Sequence, residues 1–238
     1  MGTIAGSVMG TYIGMLGGTD PAAKVLFATH LLSASVMAVP GSIVLAKMLC
    51  PQTEEATDHV AISGKEKENS NILDAISSGT VTGVKLMTNI AAMLLVFISL
   101  VALANYITEG VIGRYTGLND WIVKITDGKA QGLTFQFILG VITSPFMWLI
   151  GVPSQDIMLV GSLLGQKTIL NEFVAYFQLQ QWKDAGLFMY EKSILMSTYI
   201  LCGFANISSI GILLGGLGVL APEKRGLISR IGVPAMIG

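Results

Sequence analysis

The uncharged stretch SILMSTYILCGFANISSIGILLGGLGVLAP, residues 193–222, decides the fold class of this chain. It is longer than the roughly 20 apolar residues that a helix needs to cross a lipid bilayer. Residues 1–19, 25–46, 86–108 and 130–155 also lack Asp, Glu, Lys and Arg. Because these stretches together make up about half of the chain, we predict an all-α, polytopic membrane protein with broken transmembrane helices.

The composition excludes several other classes of protein. Only 12% of the residues are charged, against about 25% in an average soluble domain, and the mean hydropathy is +0.68. The net charge of −1 and the lack of a basic stripe argue against nucleic-acid binding. Two cysteines argue against a secreted disulfide scaffold. Neither a nucleophile–base pair nor a metal-ligand spacing is evident, so we do not expect an enzyme.

The first half of the chain predicts three helices and one polar loop. Residues 1–18 and 22–49 predict two helices that are joined by a short turn, and residues 71–108 predict a third. Between the second and third helices, the charged stretch 48–70 predicts an aqueous loop.

Residues 154–180 predict a re-entrant hairpin of two short helices that join near residues 165–167. Backbone at such a tip is tolerated only where it lines a protein or water cavity. Within this apolar segment Glu172 is a candidate functional residue, because an unpaired carboxylate there costs several kcal/mol. Lys167 is a possible partner. The alternative is that Glu172 faces the aqueous end of the hairpin.

Residues 193–221 predict a helix that is broken near Gly203 and Asn206. Paired half-helices expose backbone groups near the membrane midplane, where many secondary transporters bind their substrates. Asn206 and Ser209 would share a face if the chain stayed helical, and they offer amide and hydroxyl groups. The alternative is that these small residues mediate close helix packing, and the sequence leaves both interpretations open.

Residues 2–8 repeat this combination of glycine, hydroxyl and small apolar side chains. The carbonyls of an unwound turn, together with Thr or Ser hydroxyls, are oxygen ligands that suit Na⁺. Small-residue packing is again the alternative.

Two longer motifs resemble the signature of the concentrative nucleoside transporter family. They are GQKTILNEFVAY at residues 165–176 and LCGFANISSIG at residues 201–211, and residues 3–8 and 30–40 match as well. The resemblance covers nearly the whole chain in the family's order. It implies half of an inverted-repeat fold and a homotrimer in the lipid of the cytoplasmic membrane. It also implies nucleoside symport that is coupled to Na⁺ or H⁺, without a prosthetic group.

The resemblance further implies roles for particular residues. The family's nucleoside-binding positions match Glu172, Asn206, Ser209, Phe204, Val8 and Ser7. Its positions at or beside the sodium ion match Thr3, Ile4 and Ser7. In the family, the first three nucleoside positions bind the ribose hydroxyls, and the aromatic and valine positions contact the base. The serine position tunes the preference between purine and pyrimidine.

The chain also departs from the family pattern. The family has a first hairpin with a Gly-Gln-Thr-Glu-like motif before the segment that opens this chain. We therefore expect residues 1–238 to be a C-terminal transmembrane domain that is truncated at both ends and does not transport by itself. The alternatives are a gate-type membrane domain for another small polar solute or ion, and a structural subunit without transport activity. If Glu172 lies within reach of Asn206 and Ser209 and the three side chains face one cavity, that favours the nucleoside interpretation. Side chains that face lipid or different cavities would exclude it.

Overall fold

The computed structural model describes residues 2–51, 71–126, 128, 130–207, 209–210, 212–213 and 222–237. Every regular element in these ranges is a helix, so the predicted all-α class is confirmed. Most of the predicted loop at 48–70 lies outside the described residues, as do Ser208 and Gly211 of the 201–211 motif.

In the described ranges we number ten α-helices in chain order. They are α1 (Gly6–Gly17), α2 (Pro21–Leu49), α3 (Ile72–Asn105), α4 (Arg114–Thr116), α5 (Leu118–Ile125), α6 (Phe135–Leu149), α7 (Ile157–Ile169), α8 (Glu172–Asp184), α9 (Glu191–Leu201) and α10 (Arg225–Ile237). A π-helix, Tyr106–Gly113, continues α3, and a 3-10 turn, Pro222–Lys224, precedes α10. Further helical residues follow Asn206.

Among the described helices, α2 is long and apolar enough to cross a membrane, by length and composition. Its most apolar window is only 11% buried within the structure, so most of its apolar surface faces outward. The apolar helices α6 and α7 are shorter.

The start of α1 differs from the sequence prediction of a helix over residues 1–18. Residues 2–5 are not helical, and Ala5 is the extended N-cap whose carbonyl accepts the first helical hydrogen bond, from the Met9 amide at 2.9 Å. The carbonyls of Thr3 and Ile4 therefore lie outside the hydrogen-bond ladder of the helix.

The predicted joint of the hairpin at residues 165–167 is wrong. The two helices are α7 and α8, and they are separated by Leu170 and Asn171. Asn171 is extended, and its side chain caps α8 by accepting a 2.9 Å hydrogen bond from the Val174 amide. Gly165 instead lies inside α7, where a Cβ would collide with the Leu139 side chain of α6. It permits close helix packing and makes no turn.

Two contacts hold α8 and the loop that follows it in the fold. The ring of Tyr12 in α1 stacks on that of Tyr176 in α8, with centroids 4.1 Å apart, at the centre of a buried apolar cluster. The fully buried Asp156 accepts hydrogen bonds from the backbone amides of Met189 (3.0 Å) and Tyr190 (3.1 Å). The first contact holds α8 against α1, and the second holds the loop between α8 and α9 against the start of α7.

Candidate functional site

The first half of the site is the N-terminus of α8. Glu172 is the first residue of this helix and is only 6% exposed. The free amides and the dipole of a helix N-terminus favour a negative charge at this position. The cap that Asn171 supplies fixes where the helix begins, and so it fixes where the Glu172 carboxylate lies.

The second half of the site is the break that follows α9. This helix ends at Leu201, residues 202–206 are not helical, and helical residues resume at Ile207. Asn206 is the cap of the new helix, because its Oδ1 accepts a 2.7 Å hydrogen bond from the Ser209 amide. The Ser209 hydroxyl donates in return to the Asn206 carbonyl at 2.7 Å. Both residues are fully buried.

A hydrogen bond between side chains joins the two halves. Nδ2 of Asn206 donates to Oε2 of Glu172 at 2.8 Å. The same carboxamide thus caps one helix with its oxygen and contacts the first residue of another helix with its nitrogen. A carboxylate, an amide and a hydroxyl therefore meet at the start of two helices, which is a suitable set of groups for binding a polar, uncharged molecule.

Lys167 was a possible partner of Glu172, but its hydrogen bond goes to a different residue. Its Nζ donates a 2.9 Å hydrogen bond to the Ile200 carbonyl in the last turn of α9. Within the described part of the chain, neither a hydrogen bond nor an ion pair joins Lys167 to Glu172.

The predicted sodium candidates lie in the segment before α1. Thr3 is exposed, and its hydroxyl donates to the Ile4 carbonyl at 3.2 Å, while the Ile4 side chain belongs to the apolar cluster. This segment borders the break after α9, since a Cβ on Gly203 would lie 3.8 Å from the Gly2 carbonyl oxygen. Three non-helical segments therefore converge, at residues 2–5, 170–171 and 202–206.

The remaining predicted residues occupy the borders of this region. Phe204 is half-buried within the break itself. Val8 packs against the apolar cluster one helical turn before Tyr12, so it lies on the face of α1 that meets α8. Ser7 is exposed, and its carbonyl accepts a hydrogen bond from the Thr11 hydroxyl at 3.4 Å.

The Glu172 and Asn206 side chains bond to each other in this structure. A cavity of about 630 Å³ lies elsewhere, between the end of α3 and helices α6, α7 and α8. Glu172 and Asn206 do not line it.

Sequence reasoning assigned no role to Asp156 or to the Tyr12–Tyr176 stack. A charge within an apolar segment was a usable signal for Asp156. The stack joins residues from distant parts of the chain, so no local sequence pattern predicts it.

A family model described as "Na+ dependent nucleoside transporter C-terminus" matches residues 30–238. The chain belongs to the concentrative nucleoside transporter family. The resemblance that the 165–176 and 201–211 motifs indicated is thereby confirmed, and the relatives are transporters rather than enzymes.

Two relatives illustrate the extent of the match. An uncharacterized transporter of Haemophilus influenzae is 38% identical, over 99% of this chain and 52% of its own length. Sodium/nucleoside cotransporter 1 of Rattus norvegicus is 37% identical, over 99% of this chain and 35% of its own length. The chain thus spans about half the length of the bacterial relative and about a third of the mammalian one.

Solved structures of the family member CNTnw have the same fold. CNTnw in an inward-facing, substrate-bound state is 34% identical with a TM-score of 0.75, over 99% of this chain and 51% of that one. A CNTnw variant in an outward-facing state has a TM-score of 0.79 at 34% identity, over 100% of this chain and 52% of that one.

Proposed function

We propose that this chain supplies the nucleoside-binding half of a Na⁺-coupled symporter that imports nucleosides across the cytoplasmic membrane. The observation that carries this proposal is the hydrogen bond between Asn206 and Glu172, which brings together the polar groups of the two family motifs. Family membership and the names of the sodium/nucleoside cotransporters support the class of substrate and the coupling ion. A multi-pass topology and a homotrimeric assembly are part of the same proposal.

In this proposal the ribose hydroxyls replace the contact between Asn206 and Glu172. A sugar hydroxyl can donate to the carboxylate and can also accept from the amide, so both groups remain paired when the nucleoside is bound. Charge-assisted hydrogen bonds to Glu172 in a buried site are stronger than bonds between neutral groups. Ser209 adds a hydroxyl on the same side, because it is bonded to Asn206.

The nucleobase lies against Phe204 and Val8 in this account. Phe204 is a half-buried aromatic ring two residues before Asn206, and Val8 presents an apolar side chain from α1. An apolar slot with few polar groups is typical of sites for small molecules. Ser7, next to Val8 and exposed, is placed to influence the preference between purine and pyrimidine.

Na⁺ is co-transported, and the segment before α1 provides its oxygen ligands. The carbonyls of Thr3 and Ile4 lie outside the helix ladder, and the hydroxyls of Thr3 and Ser7 are close in sequence. Because this segment borders Gly203, ion binding there orders the break that carries Phe204 and Asn206. The ion and the nucleoside then increase each other's affinity, as thermodynamic linkage requires.

The test is transport by the protein expressed from its complete reading frame and reconstituted into lipid vesicles. We expect an inward Na⁺ gradient to drive accumulation of radiolabelled uridine or adenosine, and an equal choline gradient not to. Accumulation driven equally by a proton gradient would assign H⁺ as the coupling ion. If neither gradient drives accumulation of either nucleoside, the proposed function is wrong, and a gate-type domain for another solute or a structural subunit takes its place.

A further inference from the structure

Lys167 is a charged residue for which the proposed function has no role. It is 8% exposed and lies in the last turn of α7. A buried ammonium is costly unless other groups replace its hydration. The contacts of its Nζ therefore indicate what it does.

Those contacts place the ammonium where three segments meet. Nζ donates to the Ile200 carbonyl at 2.9 Å, in the last turn of α9, where free carbonyls and the helix dipole attract a cation. A Cβ on Gly203 would lie 3.3 Å from Nζ and 3.8 Å from the Gly2 carbonyl oxygen. Nζ therefore borders both the break after α9 and the segment before α1.

The surroundings of Nζ otherwise resemble an ion site. They consist of helix-terminal carbonyls, a backbone break that a side chain at position 203 would fill, and the nearby Glu172 carboxylate, which bonds to Asn206 of that break. Carbonyl oxygens of this kind bind small monovalent cations in transporters. Here a covalently attached cation occupies the position.

We propose that the Lys167 ammonium is a built-in cation of the binding site, which positions the break at residues 202–206 and balances the charge of Glu172. This inference rests on the proposed nucleoside function. Lys167 is a positioning residue in this account, because it acts on the nucleoside through Asn206 and Phe204 rather than by touching it.

A purely structural role and a cationic role make different predictions. If only the hydrogen bond to Ile200 matters, then Lys167→Gln, which keeps a donor and loses the charge, retains binding. If the charge matters, the variant leaves Glu172 and the carbonyls of α9 without a cation. A small cation from solution can then occupy the place of Nζ, so the defect should shrink as the concentration of that cation rises.

The experiment is equilibrium binding of radiolabelled uridine to the purified protein, expressed from its complete reading frame, over a series of NaCl concentrations. Choline chloride keeps the ionic strength constant. For Lys167→Gln we expect at least about a tenfold rise in Kd at low Na⁺, a partial recovery at high Na⁺ and a steeper Na⁺ dependence than in the parent. The matched control is Lys183→Gln, because Lys183 donates to the Leu16 carbonyl at the end of α1, and its other described partners, Asp184 and Phe27, lie outside the three non-helical segments. The Lys183→Gln variant should have the same Kd for uridine as the parent at each Na⁺ concentration.

The proposal is overturned if Lys167→Gln binds uridine like the parent, or if its defect is the same at every Na⁺ concentration. If the Gln variant does not fold, uridine binding by the Lys167→Arg variant is compared with that of the parent instead. Uridine binding within about threefold of the parent supports the cationic role, and a loss as large as that of Glu172→Gln excludes it. A parent protein that binds neither uridine nor adenosine would instead refute the proposed function, and this result is seen before any variant is compared.

Discussion

The Asn206 side chain links two helix starts, because its Oδ1 caps the helical residues that follow it while its Nδ2 donates to the Glu172 carboxylate at 2.8 Å. The position of the polar site therefore depends on where two helices begin. Variants that separate the cap from the contact with Glu172 can distinguish the two roles of this residue.

Asn206→Ser keeps a side-chain oxygen for capping but removes the amide that reaches Glu172, whereas Asn206→Ala removes both. We expect both variants to lose at least about tenfold in affinity for the nucleoside. The Ala variant should also lose about 0.5–2 kcal/mol more in free energy of unfolding than the Ser variant, which is the usual value of a cap. Uridine binding and denaturant unfolding in detergent measure the two effects. Equal stability of the two variants would mean that the cap contributes nothing.

Thr3→Ala should raise the Na⁺ concentration that gives half-maximal uridine uptake, because it removes a hydroxyl from the proposed ion ligands. The matched control is Thr29→Ala in α2, where the hydroxyl donates only to the Val25 carbonyl one turn earlier. Uptake as a function of Na⁺ concentration is the measurement. An unchanged Na⁺ dependence in the Thr3 variant would remove this segment from the ion site.

Gly140→Ala should destabilise the packing of α6 against α7. The new Cβ would lie 2.9 Å from the Met158 carbonyl oxygen and 2.6 Å from the Ser162 hydroxyl, so the helices must separate. We expect a loss of about 1–3 kcal/mol, measured by denaturant unfolding in detergent. Gly83→Ala in α3 is the control, because its Cβ meets nothing within 4 Å and alanine favours a helix by about 0.5–1 kcal/mol over glycine. Equal stability of the two variants would contradict the close packing.

Asp156→Asn should loosen the loop between α8 and α9. An amide nitrogen would then face one of the two backbone N–H groups that the carboxylate binds, and leaving such a donor unpaired costs about 1–3 kcal/mol. Limited proteolysis should cut this loop faster than in the parent. Asp184→Asn, whose side chain is 59% exposed, should leave the rate unchanged. Equal rates in the parent and the Asp156 variant would show that the loop does not depend on this anchor.

The sequence predicted the general architecture better than the joints between helices. Charge-free stretches identified the apolar helices, because charged side chains are costly in lipid and such helices therefore lack them. Glycines were ambiguous, because the same residue permits a turn or a close contact. Gly165 was assigned to a hairpin tip, but it packs against Leu139. Asn171, the better signal, lies directly before an acidic first turn, as an N-cap does.

The members of the candidate site were predictable, but their geometry was not. Glu172 stood out as a carboxylate in an apolar segment, and the resemblance connected it with Asn206. The contact between them depends on tertiary packing, in which the Tyr12–Tyr176 stack holds α8 against α1. Lys167 was named as a possible partner of Glu172, yet it bonds to Ile200 across 33 residues, because the end of α9 offers free carbonyls.

The most direct test of the central claim is uridine binding to the Glu172→Gln variant in Na⁺ and in choline. Gln can still accept a hydrogen bond from Asn206, so the fold should persist while the charge is lost. We expect at least about a tenfold loss of Na⁺-dependent affinity, equivalent to about 1.4 kcal/mol. The control is Glu191→Gln, because Glu191 is the first residue of α9, as Glu172 is of α8, but is exposed. This variant should bind uridine like the parent. Equal affinity of the Glu172→Gln variant and the parent would contradict the assignment of this site to the nucleoside.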